Sequence, residues 1–176
     1  MPDLVYSSAV QSLISAGSER NRNATSHLLA SLSLDSLFPD GFVDRNAALG
    51  CHAGLWLRHE FLDEAHSICQ DIRTREGSFW HAIVHRMEKD YWNSKYWYQR
   101  VGQHPVHDPL VTKVAQLNEQ DLAGLIVNNR WDPSRFVDFC EHADEKGSHS
   151  IERVRLVRNL EWQLLFDFCW NAANGK

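Results

Sequence analysis

Between Ser150 and Ala173 the residues Ile151, Val154, Val157, Leu160, Leu164 and Phe168 recur at steps of three and four, the spacing that lines one side of an α-helix. Ser150 is placed to open this helix and Asn174-Gly175 to close it. Trp162, Phe166 and Trp170 add bulk on further sides, with Arg158 and Glu161 among them. A helix apolar on more than one side is buried, so the segment from about 150 to 173 is expected at the centre of a helical fold.

The rest of the chain repeats the helical period between glycine and proline breaks. Helices are expected over Asp3–Ala16, Ser26–Leu37, Arg45–Arg58, Leu62–Arg73, Ser78–Lys89 (with Ser78 as cap), Trp92–Val101 and Asn118–Asn129. Another starts at Asp132-Pro133 and runs to His142. Gly17–Thr25 reads as a loop. Only a few residues separate the helices within 45–73 and within 78–101, which predicts two antiparallel hairpins. No alternating strand is long enough to count, Leu125-Ile126-Val127 included. The expected fold is all-α: a single domain over 1–176, an orthogonal or antiparallel helical bundle built partly from helical hairpins.

Composition narrows the function. The formal net charge is -5 with both signs interspersed, so no basic stripe exists to neutralise phosphates, and neither nucleic acid nor a membrane surface is an expected partner. Met1 to Ala16 has no basic start ahead of an apolar run and does not read as a secretory signal. A cytoplasmic protein is expected. Cys51, Cys69, Cys140 and Cys169 are widely spaced, which predicts no disulfide framework and no zinc knuckle, and three of them sit where small buried hydrophobes belong.

Seven of the ten histidines and four of the seven tryptophans lie between His52 and His107. His81 and His85 are one helical turn apart, and Glu88 follows on the next turn of the same face. Two imidazoles and a carboxylate so placed can hold a divalent transition metal, or act as general acid and base. The His-Glu-x-x-His pattern of metalloproteases is absent. Asp63, His66 and Gln70 share a face of the preceding helix, and Asn93, Tyr96, Trp97 and Arg100 share one on the following helix. Packed side by side, these faces would line one pocket for a small polar ligand. Arg86 and Arg100 are candidate anion clamps. His104 and His107 lie beyond the helix in a proline-rich turn, placed either to reach back over the pocket, with His104 a ligand-binding candidate, or to face water, which is the expectation. Trp80, Trp92 and Trp97 are expected in the core.

Aligning Glu60-Phe61-Leu62 with Asp90-Tyr91-Trp92 reveals a faint repeat of about thirty residues. The phrase Asp90-Tyr91-x-x-Ser94-x-Tyr96-Trp97-Tyr98 resembles the turn and second helix of Sel1-like and tetratricopeptide (TPR) hairpins. The longer string Trp80-His81-Ala82-Ile83-x-His85-Arg86-x-Glu88-x-Asp90, Asn93-x-Lys95-Tyr96-Trp97 and Val101-Gly102-x-His104-Pro105 resembles a family of bacterial and fungal proteins built on the same motif. Leu62-Asp63-Glu64-Ala65-His66 and Glu161-Trp162 extend that likeness. It implies which residues matter and supplies no reaction.

Three functions follow as expectations. The first is a binding or catalytic pocket, with or without a metal, centred on His66, His81, His85 and Glu88. The second is a non-catalytic hairpin module that binds a peptide or protein partner through aromatic and arginine side chains. The third is a structural polar network.

Overall fold

The computed structural model describes residues 5–15, 22–146 and 148–176. Ten α-helices occur among them: α1 (Ser8–Ser15), α2 (Arg22–Ser31), α3 (Leu34–Leu37), α4 (Arg45–Arg58), α5 (Leu62–Cys69), α6 (Arg75–Met87), α7 (Tyr91–Val101), α8 (His107–Gln116), α9 (Pro133–Lys146) and α10 (Ser148–Ala173). The protein is mostly α-helical, as the periodicity predicts. None of these helices is long and apolar enough to cross a membrane.

Helix α10 is the spine. Its first half lends Val154 and Val157 to a core shared with α8 and α9, where Leu110, Val114, Phe136 and Cys140 meet. Its second half buries Trp162, Leu165, Phe166, Cys169 and Trp170 in a larger core with α4 and α6. Apolar contact on both sides explains why the helix carries large side chains nearly all round. Helix α4 can lie between α6 and α10 because it presents glycine. A Cβ on Gly54 would stand 2.9 Å from the Trp80 ring and 3.1 Å from Phe166, and the Gly54 carbonyl accepts the Trp162 indole N–H at 2.7 Å. All four cysteines are free and buried.

Helices α4 and α5 form one hairpin and α6 and α7 the next. Each turn uses a residue at positive φ, Glu60 at 61° and Lys89 at 65°, which lets the chain reverse directly after the helix end. The equivalence therefore pairs Glu60 with Lys89, one position off the alignment with Asp90. Asp90 caps α7 by accepting the Asn93 amide at 3.3 Å, and Asp44 caps α4 at the Ala47 amide. The Ser94 hydroxyl, buried, donates to the Ala82 carbonyl at 2.8 Å and ties α7 to α6.

Several expected boundaries move. Helix α1 starts at Ser8, leaving Val5 79% exposed outside it; Asp3 and Leu4 lie outside the described residues. Arg22–Thr25, expected as loop, is the start of α2, whereas 17–21 lie outside the described residues. The 26–37 candidate divides into the end of α2 and α3, because Ser33 forms a reciprocal cap with Ser36 and begins a new helix. Helix α5 stops at Cys69. Helix α6 is capped by Thr74 rather than Ser78, with Gly77 in its first turn against Ile72: a Cβ there would fall 2.2 Å from the Ile72 carbonyl oxygen.

The largest correction concerns 105–131. Helix α8 forms across Pro109, since a proline in a first turn forfeits no intrahelical bond. Asn118–Asn129 is not a helix. It contains a 3-10 turn, Gln120–Leu125, and then strand β1 (Ile126–Val127). Residues Asn128 and Asn129, both at positive φ, turn the chain back into β2 (Arg130–Trp131). Two asparagines in that conformation make a tight two-residue hairpin loop.

Candidate metal centre

His66 points from α5 toward α6, where His81 and His85 stand one turn apart. One potential ligand atom from each of the three lies within 4.8 Å of the others. His66 Nε2 and His81 Nε2 are 2.8 Å apart. The His81 and His85 rings stack at 4.7 Å between centroids, and His66 meets both edge-on, at 4.6 and 4.9 Å. Behind them the Trp97 indole of α7 lies flat against His81, 4.0 Å between centroids. The α6–α7 turn brings Glu88 and Asp90 to the same place. Glu88 offers Oε1 to His66 Nδ1 at 3.2 Å and Oε2 to His85 Nδ1 at 3.2 Å, while Asp90 Oδ2 is 3.7 Å from His85 Nδ1.

The electrostatics suit metal ligation. His81 and His85 are 5% and 6% exposed. Burial, then the neighbouring His66 and His85, pushes His81 down to about 4. Burial also lowers His85, against the pull of Glu88. Both rings are therefore neutral near pH 7 and hold a nitrogen lone pair. Because the Glu88 carboxylate only accepts, it fixes a proton on His66 Nδ1 and turns the Nε2 lone pair toward His81. The Nδ1 atom of His81 is buried without a hydrogen-bond partner among the described residues, whereas that of His85 has Glu88 at 3.2 Å and Asp90 at 3.7 Å. Unmatched buried nitrogens are costly in a closed structural network.

Nitrogen ligands of a tetrahedral ion, bound at about 2.0–2.1 Å, sit about 3.3 Å from one another. The three ligand atoms, all within 4.8 Å of one another, stand near that spacing. A carboxylate that receives the far ring nitrogen of a ligating histidine is the usual outer support of such a site, and Glu88 occupies that position for His66. The sequence expects His81, His85 and Glu88 as the metal ligands with His66 beside them; in the structure His66 Nε2 is next to His81, and Glu88 lies against the Nδ1 atoms of His66 and His85.

Other predicted site residues divide. Trp97 joins as the stacking wall. Asn93 is at the turn, its amide donating to Asp90 at 3.2 Å. Tyr96 is 43% exposed, edge-on to Trp97, and Arg100 holds its guanidinium 5.2 Å from the Trp97 ring. Asp63 is exposed on α5, and Gln70 lines a separate cleft beyond Trp97. Arg86 does not reach the site. It is buried on another face of α6, paired with Glu161 of α10, and the Tyr98 hydroxyl bridges the two by accepting from Arg86 at 2.6 Å and donating to Glu161 at 2.8 Å. His104 and His107 are each 4% exposed rather than solvated. His104 packs on Phe79 and Phe168 with its Nε2 3.3 Å from Glu76. Trp80 is fully buried, whereas Trp92, expected in the core, is 78% exposed.

Comparison of the chain with protein-family models, with curated proteins and with solved structures finds no match.

Proposed function

We propose that the protein binds one divalent transition-metal ion through His66, His81 and His85, and that the ion serves a site for a small polar ligand between the two hairpins. The observation that carries this is the convergence of three imidazoles from two hairpins, two of them buried. Three imidazoles neutral in their ligating form cancel none of the charge of a divalent ion, and the Glu88 and Asp90 carboxylates stand outside this ligand set. Such an ion takes a further oxygen ligand, water or an anion, and polarises it. Glu88, which orients His66, and Asp90 at the same turn are the groups placed to take up a proton there.

Calorimetric titration of zinc into chelator-treated protein, purified without a metal-affinity step, tests the proposal. One equivalent is expected to bind. His81→Ala should abolish binding, and Glu88→Gln should weaken it by about 10–100-fold as lost outer support does. Zinc uptake that His81→Ala and His66→Ala leave unchanged refutes it.

A second function, docking of a peptide by a non-catalytic hairpin module, has the exposed Trp92 in its favour, stacked on Tyr96 at 6.3 Å. Trp92→Ala separates the two: it removes peptide docking and leaves zinc binding intact.

A further inference from the structure

A second cleft, of about 530 Å³, opens on the other side of Trp97. Arg73, Arg75 and Arg100 line it, with Thr74, Ser78 and Gln70, and no acid is among its walls. Among the described residues none of the three arginines has a carboxylate within ion-pair distance. Arg75 donates its Nε to the Val101 carbonyl at 3.0 Å, which fixes the side chain, and its two terminal nitrogens have no hydrogen-bond partner among the described residues. Arg100 is held over the Trp97 ring. Thr74 is the N-cap of α6, so the positive end of a thirteen-residue helix faces the same space.

Three guanidinium groups around one acid-free cleft repel each other, in a chain whose overall charge is negative. A multiply charged oxyanion removes that repulsion and matches the planar donor fork of arginine with paired oxygens. The cleft is of small-molecule size and larger than a bare phosphate needs, and it carries an indole wall suited to an organic group. We infer that this cleft binds the phosphate group of a small soluble phosphorylated compound. Trp97 lines the cleft and stacks on His81, so the bound molecule lies next to the imidazole cluster. The anion site stands on its own arginines; only the idea that its ligand reaches the ion rests on the metal proposal.

The test uses metal-free protein titrated with inorganic phosphate at fixed ionic strength, followed by calorimetry. Saturable binding at one site is expected. Arg73→Gln combined with Arg100→Gln, both exposed positions, should weaken it at least tenfold with an unchanged melting temperature, and His66→Ala, which takes one imidazole from the ion and leaves the His81–Trp97 stack in place, should not affect it. That last variant separates this inference from the metal proposal, since it strips the ion site of a ligand and spares the anion. Non-saturable uptake, equal binding in the double variant, or equal displacement by acetate overturns the inference. Association with phosphatidate vesicles without uptake of free phosphate overturns it as well.

Discussion

Replacing Glu161 by leucine removes the carboxylate that, alone among the described residues, pairs with the Arg86 guanidinium. In the native protein the Arg86 and Glu161 side chains are 1% and 0% exposed, and both Glu161 oxygens are used, one by Arg86 and one by Tyr98. Burial opposes the charge on Arg86, and Glu161 with Tyr98 more than restores it, so its pKa is raised. Without Glu161 the cation keeps the Tyr98 hydroxyl and ring and the Phe136 ring, 4.5 Å away, none of which carries a negative charge. Stranding one member of a buried pair costs about 3–5 kcal/mol. For a chain of this size that lowers the melting temperature by about 6–20 °C. Arg86→Met alone strands the carboxylate and costs a similar amount. The double variant strands neither charge, so it should be more stable than either single one. Urea unfolding followed by far-ultraviolet circular dichroism at pH 7 measures all three. A double variant whose loss equals the sum of the two single losses would refute the claim that the pair, rather than the packing of each side chain, holds α6 and α7 to α10.

Stability should fall with acid between about pH 6.5 and 4. Burial, and after it His104, lowers His107 to about 4, and His81 is lowered to about 4 as well, so below pH 6.5 the unfolded chain takes up these protons first. Each group contributes at most about 1.4 kcal/mol per pH unit; urea midpoints at pH 7 and pH 5 give the sign, and an equal or higher midpoint at pH 5 contradicts it. Gly77→Ala forces a methyl group against the Ile72 carbonyl and should cost about 1–3 kcal/mol, read in the same unfolding assay. Trp80→Ala should cost about 3–5 kcal/mol, whereas Trp92→Ala should stay within about 0.5 kcal/mol of the native protein. Similar losses at the two positions would contradict their opposite burial.

Much of the helical content is legible in the chain, and the reasons are local. Arg45–Arg58 matches α4 at both ends because Asp44 is a cap and Glu60 a turn, each acting within a few residues. The centrality of α10 follows from apolar residues on several of its sides. Two of the misplaced starts share a cause: proline and glycine read as breaks, yet Pro109 and Gly77 both sit in first turns, where the backbone tolerates them. At the site, the i, i+4 pair His81 and His85 and the turn residue Glu88 are visible because helical geometry alone makes them neighbours.

Tertiary packing decided the rest. Nothing local distinguishes Arg86, which pairs with a residue of α10, from Arg100, which stays at the surface, although both lie on adjacent helices and both read as anion clamps. His66 becomes the third imidazole, and Arg73, Arg75 and Arg100 become walls of one cleft, only when the α5–α6 turn folds the first hairpin onto the second. Sequence periodicity determines which side of a helix a residue occupies, since that depends on the turn angle of the backbone. Which partner that side meets depends on contacts between distant segments, and only the packed structure supplies them.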